Sequence, residues 1–430
     1  MEKSKISFAA VGDSLIVSPI SKTDPDMLAL QNIFSGDDIV LTNLEGSLHE
    51  YEPTVYPSPI SGGDWVTLPP KAVEDLNWLG FNLYSLPNNH SFDWMCGGIL
   101  KTIENLKKHH AVYAGIGANL AEACAPAYYS TPGGRVALIA FTTSFEPWQK
   151  AGVQRRDVIG RPGPFTVSHK TVHQITKEEM TALKAISQKT SLPFTSRGEN
   201  ACTFAGMEFE VGEAGTKTYL NETDRNLIKT CIAQASRQAD VVLISCHTHE
   251  GAPKDPEKNT NFQEELAHFC IDCGAQAYIA HGPHLLRGVE WYKKAPIFYS
   301  LGNFFYQCEL IERQPEEFYH KFRDFDSDAT AADVFDYRIE SGGILGETNP
   351  KYFRSVIAKF QLTNREVTEV KLIPITLQFT AHRSTKGTPK IPTPEESASI
   401  LTHMANLSKP YNTSFQIFSE YAITTPPEAV

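Results

Sequence analysis

Ile6-Ser7-Phe8-Ala9-Ala10-Val11-Gly12-Asp13 is a short apolar run that ends on a glycine and delivers a carboxylate. The same form recurs along the chain. Residues 38–42 end at Asn43-Leu44-Glu45, 82–86 at Asn88-Asn89-His90, 241–246 at His247-Thr248-His249-Glu250, 276–280 at His281, and 297–301 at Gly302-Asn303. Each run has strand length and apolar or β-branched character, with polar residues and helical patterns between them, which is how strands alternating with helices read. An α/β fold follows. In open α/β sheets ligands sit beyond the carboxyl ends of the strands, so these ends are expected to converge on one crevice.

Between the strands, helices are expected over 71–79, 98–109, 224–238 and 261–273, with Gly80 and Gly274 as C-terminal stops. The rhythm breaks over 143–221. That stretch reads as an insertion within a core of residues 1–308, with an ordered turn at Gly160-Arg161-Pro162-Gly163-Pro164 and a helix over 177–189. Residues 309–430 read as a C-terminal extension packed on the core. It holds an acidic, aromatic segment over 309–337, a hairpin of 354–362 and 367–374 about Thr363-Asn364-Arg365, and a helix over 393–406 with Thr393 as N-cap and Pro394 in its first turn.

The 430 residues, 41% hydrophobic, suffice for a large core without a disulfide or metal staple. With 39 basic against 50 acidic residues the net charge is -11, which argues against nucleic acid as a partner and is compatible with cation binding. Met1-Glu2-Lys3-Ser4-Lys5 runs straight into the first strand, leaving no room for a signal peptide. No apolar stretch is long enough to span a bilayer, so a cytoplasmic protein without a membrane anchor is expected. The eight cysteines read as reduced thiols, and Cys270-x-x-Cys273, lacking a second pair, reads as helix packing rather than metal binding.

The polar residues at the strand ends form the candidate site. Asp13 taken alone reads better as a helix cap than as a ligand. Asn43 and Glu45 would share a side if their strand continued. Asn88-Asn89-His90, with Asp93 three residues on, sets an amide oxygen, an imidazole and a carboxylate in one turn. In that arrangement Asn89 can ligate a metal, and His90, oriented by Asp93, can protonate a leaving group. His247 is the preferred ligand of its cluster, with His249 and Glu250 as orienting groups or acid–base residues. His281-Gly282-Pro283-His284 returns two imidazoles toward one point through a tight turn. Imidazole, carboxylate and amide donors together suit one or two divalent ions such as manganese, zinc or iron.

At these motifs the chain resembles the capsule-synthesis CapA and PgsA proteins, linked to poly-γ-glutamate biosynthesis and related to calcineurin-like metallophosphoesterases. The resemblance covers residues 6–305. It is carried most specifically by Ala280-His281-Gly282-Pro283-His284-Leu285-Leu286-Arg287-Gly288-Val289-Glu290 and Pro296-Ile297-Phe298-Tyr299-Ser300-Leu301-Gly302-Asn303-Phe304, supported by Asn43-Leu44-Glu45-Gly46 and Asn89-His90. It implies a four-layer αββα sandwich. It further implies one metal held by Asp13 and His284, another by Asn89, His247 and His281, Glu45 bridging them, and His90 as proton donor. Asp13-Ser14-Leu15 lacks the histidine that follows the first aspartate in phosphoesterases.

The leading expectation is a hydrolase of a phosphate ester or amide, acting on an anionic or peptide-like substrate, with Asn43 and Arg287 as substrate contacts. Metal-dependent epimerisation of a peptide, by α-proton exchange through His90, His249 or Glu250, is the second. A non-catalytic polymer-binding or assembly protein is the third.

Overall fold

A computed structural model describes residues 5–252, 255–342 and 349–427. Residues 1–4, on which the reading of the chain's start rests, lie outside them, as do 428–430 of the expected C-terminal extension.

The first strand, Lys5–Leu15, alternates its side chains between two apolar environments. Phe8 and Ala10 point into one core cluster, while Ala9 and Val11 point into another. A strand covered on both faces belongs to the middle of a layered α/β protein. It lies within a ten-stranded sheet, beside Ile39–Leu44, Leu83–Ser85 and Val112–Ala114, all paired in parallel. A second, six-stranded sheet runs Val289–Tyr292, Ala295–Phe298, Ala277–His281, Val241–His247, Gly134–Thr142, Ala127–Thr131. The two sheets face each other across a shared core in which Phe8, Leu41 and Leu83 meet Leu138, Leu243 and Ile279. Burying a side chain of this size contributes roughly 1.5–3 kcal/mol.

Helices cover the outer faces. Pro25–Phe34, Ala72–Leu79 and Met95–Lys108 pack on the ten-stranded sheet, and Glu222–Ala235 and Asn261–Asp272 on the six-stranded one. The result is the four-layer αββα sandwich. Gly80 and Gly274 both take φ +115° just beyond their helices, the left-handed stop expected of them. Helix Glu222–Ala235 starts two residues earlier than its sequence pattern suggests, because the Asn221 side chain accepts from the backbone N–H groups of Thr223 and Asp224. All eight cysteines are free, and Cys270 is buried in the core.

Two elements depart from expectation in ways that matter for the site. The strand expected over 297–301 is split. Ala295–Phe298 stays in the six-stranded sheet, Gly302 turns at φ +81°, and Asn303–Tyr306 crosses to the other sheet beside Lys5–Leu15. The hairpin Arg354–Thr363 and Glu366–Leu377 joins the ten-stranded sheet itself, with Arg354–Thr363 antiparallel to Lys5–Leu15 over Lys5 to Ala10. Its turn residues Asn364 and Arg365 both have positive φ, at 55° and 68°, as the twist of a tight hairpin demands.

Residues within 143–221 carry a five-stranded sheet of their own, ordered Phe194–Ser196, Ala201–Phe204, Met207–Val211, His169–Ile175, Gly215–Leu220, with helix Lys177–Lys189. The acidic segment after 309 forms the helices Glu316–Phe322 and Ala331–Glu340. No helix among the described residues is long and apolar enough to cross a membrane.

A Cβ built on Gly12 would lie 1.8 Å from the Gly302 carbonyl oxygen. Gly12→Ala must therefore displace backbone, and a loss of roughly 3 kcal/mol is expected. Gly215→Ala, whose nearest neighbour is 3.9 Å away, should be close to neutral. Urea unfolding of the two variants checks this, and equal midpoints would refute the close crossing.

Candidate metal centre

The strand ends converge as their spacing predicts. Lys5–Leu15 changes partner at Asp13, from the antiparallel Arg354–Thr363 to the parallel Asn303–Tyr306, and the register shifts there. Asp13 is fully buried at this switch. One carboxylate oxygen accepts from Asn43 Nδ2 at 2.7 Å and the other from the Gly282 N–H at 3.0 Å. In the other sheet His247 and His281 are direct partners across adjacent parallel strands, so their imidazoles enter the site side by side.

The Gly282 turn sets the second histidine. Gly282 has φ +113°, and a Cβ there would meet the Thr248 backbone at 2.9 Å; His284 follows at φ +58°. Asn303 Nδ2 donates to the His284 and Tyr352 carbonyls, which leaves its amide oxygen 2.9 Å from His284 Nδ1. That contact places the ring proton on Nδ1 and the Nε2 lone pair toward Glu45 Oε1, 3.7 Å away.

Glu45 lies at the centre. His90, His247 and His284 each present Nε2 to its Oε1, at 3.9, 3.8 and 3.7 Å. Asp13 likewise lies 3.7–3.8 Å from the Nδ1 atoms of His247, His281 and His284. These separations are too long for hydrogen bonds and suit groups arranged around a common centre. Asn89 Oδ1 is 2.8 Å from His247 Nε2.

Whether a divalent cation fits is decided by the buried atoms left over. Both Glu45 oxygens and both His281 ring nitrogens are buried with no hydrogen-bond partner among the described residues. An unpaired carboxylate in such a place is costly unless a positive charge meets it. Two sets of donors, Glu45–His247–His249 and Asp13–Glu45–His284, each lie within 4.8 Å of one another, and Glu45 is common to both. The residues therefore fit a cation of borderline hardness.

The electrostatics agree. Burial pushes the Asp13 carboxyl up to about 7 against the pull of Gly282 and Asn43, and pushes Glu45 well above the usual carboxylate range, helped by the Asp13 and Asp93 charges. Burial also pushes His281 down to about 3 and His284 to about 4, and holds His247 well below its ordinary value, helped by the neighbouring imidazoles. Neutral imidazoles are what metal ligation requires, and a bound cation supplies the charge that the carboxylates lack.

The other residues singled out from sequence occupy distinct places. His90 Nδ1 is 2.7 Å from Asp93 Oδ2, which also accepts from the Val66 N–H at 2.8 Å. The His90 ring is thereby held with Nε2 toward Glu45. Asn43, expected as a substrate contact, is fully buried and gives its amide to Asp13. Glu250, expected near the chemistry, instead accepts from the Thr143 and Thr248 hydroxyls. His249 is exposed, its ring centroid 5.0 Å from that of His247 and 5.4 Å from that of His284.

A cleft of about 390 Å³ opens over this cluster, lined by Asn89, His90, His249, His284 and Arg287 on the core side. Arg287 is 1% exposed and gives its guanidinium to the Pro256 carbonyl and Asn259 Oδ1, with no carboxylate within 4.0 Å among the described residues. Lys321, Arg338 and Tyr352 line the opposite side. Sequence reasoning missed these, along with the contact by which Asn303 orients His284. Asn303 stood next to a marked strand end, whereas Lys321 and Arg338 carried no signal.

The model of the bacterial capsule synthesis protein family PGA_cap matches residues 7–307. An uncharacterized protein of Sinorhizobium fredii, y4sH, is 29% identical over 426 residues, 96% of this chain and 91% of its own. The capsule biosynthesis protein CapA of Bacillus anthracis is 26% identical over 234 residues, 54% of this chain and 41% of its own. Among solved structures, a 5'-nucleotidase precursor from Thermus thermophilus aligns over 94% of this chain and 58% of its own, at 11% identity and a TM-score of 0.32.

Protein purified without added metal or chelator should contain a stoichiometric divalent transition metal by mass spectrometry. The His281→Ala/His284→Ala double variant should lose it. Equal metal content in the two proteins, or none in either after reconstitution, would refute the centre.

Proposed function

This chain belongs to the bacterial capsule synthesis protein family, and from that premise we propose that it is a metal-dependent hydrolase of an anionic phosphate ester or amide. The observation that carries the reading is the His90–Asp93 pair set against the shared Glu45, at the floor of a cleft whose wall holds a buried guanidinium with no carboxylate within 4.0 Å among the described residues. When bound, a divalent cation supplies Lewis-acid polarisation of the scissile group and lowers the pKa of a water.

The remaining work falls to side chains. Asp13, Glu45, Asn89, His247, His281 and His284 hold the cation, with His249 at its rim. Asn43 and Asn303 orient Asp13 and His284 from beneath. Arg287 receives an anionic group of the substrate, since desolvating a guanidinium is offset by pairing it with a carboxylate or phosphate. His90 delivers a proton from Nε2 to the leaving group, and the Asp93 carboxylate on Nδ1 fixes the ring and stabilises its protonated form. An anionic capsule polymer, as substrate, would match this chemistry.

His90→Ala should retain the metal and lose turnover by about 10²- to 10⁴-fold, the usual contribution of a positioned acid. Release of p-nitrophenol from its phosphate and of p-nitroaniline from a γ-glutamyl anilide reports the two bond classes. Unchanged turnover in the variant would sink the proton-donor role. Deuterium uptake from heavy water into a peptide substrate, without hydrolysis, would replace the reaction by epimerisation.

A further inference from the structure

The loop of residues 58–66 forms the back of the His90–Asp93 pair. A Cβ on Gly62 would lie 2.7 Å from Asn89 Nδ2, and one on Gly63 would lie 3.6 Å from His90 Cε1. The Val66 N–H donates to Asp93 Oδ2 at 2.8 Å, and the Ser58 N–H to the Asp93 carbonyl at 2.7 Å. Any movement of this loop is therefore felt at the His90 ring.

What holds the loop comes from far along the chain. Lys321 Nζ donates to the Ser61 and Gly63 carbonyls at 3.0 and 2.9 Å. Arg338 forms an ion pair with Asp64, with the two side chains 14% and 7% exposed. The Arg338 guanidinium also sits 4.4 Å over the Phe322 ring, which fixes its plane. Gln314 Oε1 accepts from the Trp65 N–H at 3.0 Å. Removing one partner of a buried ion pair leaves the other uncompensated, so the loop must shift or admit water.

We propose that the helix pair Glu316–Phe322 and Ala331–Glu340 is a latch, in which Arg338 and Lys321 are positioning residues that press the 58–66 loop onto His90 and Asp93. The catalytic consequence rests on His90 acting as the proton donor. The latch itself is a mechanical statement that can be tested without a substrate.

The test is hydrogen–deuterium exchange by mass spectrometry on the full chain and its Arg338→Ala, Arg338→Lys and Lys321→Ala variants, with turnover of the reporters above and metal content measured in parallel. In Arg338→Ala, peptides covering 58–66 and 89–94 should exchange about tenfold faster, while those covering 241–247 and 277–284 stay unchanged. Arg338→Lys should restore much of the protection. Lys321→Ala removes an exposed side chain whose loss does not threaten folding, and should show the same local pattern at smaller amplitude. Turnover should fall about tenfold in Arg338→Ala with metal retained, and adding Arg338→Ala to His90→Ala should cost nothing further. Faster exchange confined to 316–340, or a protected loop in Lys321→Ala together with a global loss of protection in Arg338→Ala, overturns the latch. A loosened loop alongside a fully active His90→Ala variant upholds the latch and removes the proton-donor role. A protected loop alongside an inactive His90→Ala variant does the reverse.

Discussion

Where Gly12 passes Gly302, two backbones lie closer than any side chain permits, and the first strand exchanges one neighbour for another. Up to Ala10 the strand is bonded to the C-terminal hairpin. From Asp13 onward it is bonded to a segment that has just left the opposite sheet. A strand that changes partners opens a gap between its neighbours, and a gap at the carboxyl ends of parallel strands is where an α/β protein can seat a ligand. Asp13 stands in that gap. The same crossing brings Asn303 beside Asp13 and within reach of His284, so one close contact between glycines aligns groups from three parts of the chain.

The polar cluster placed there is unstable by itself. Two carboxylates with no ammonium or guanidinium against them among the described residues, and imidazoles held neutral by burial, sit between sheets whose shared core is apolar. Folding tolerates this because the amides of Asn43 and Asn303 and the Gly282 N–H satisfy part of the hydrogen-bonding demand. The part left unsatisfied among the described residues, on Glu45 and His281, is what a cation would complete. A cation bound there would couple the stability of the site to its ligand.

The strand ends were legible because β-branched and apolar runs stop abruptly at polar residues, and because parallel pairing then aligns those stops; His247 and His281 became register partners for this reason. The helices were legible from their caps and their glycine stops. What escaped was everything set by contact rather than by pattern. Asn43 alternates in phase with Glu45 and was expected to face substrate, but direction along a strand does not say how far a side chain lies beneath the surface. The split of 297–301 depends on Gly302 turning under a neighbouring strand, which no local preference announces. Lys321 and Arg338 lie some 260 and 274 positions from the loop residues they hold, and at such separations sequence spacing carries no information.

The family match ends at residue 307, yet the sheet that presents Asp13 does not. Arg354–Thr363 covers the free edge of the first strand, Phe360 stacks on Phe8 with ring centroids 5.1 Å apart, and the Ser355 hydroxyl donates to the Leu301 carbonyl next to the glycine crossing. Lys359 reaches across to the Ile33 carbonyl at the end of the first helix. An unpaired edge beside the switch point would present open backbone donors and acceptors and leave the crossing unsupported on one side. The residues after 307 therefore enter the site twice: the hairpin fixes the strand that carries Asp13, and the helix pair before it braces the loop behind His90. A core defined by its candidate ligands alone would hold Asp13, Glu45, Asn89, His247, His281 and His284 and lack the two elements that keep them in place.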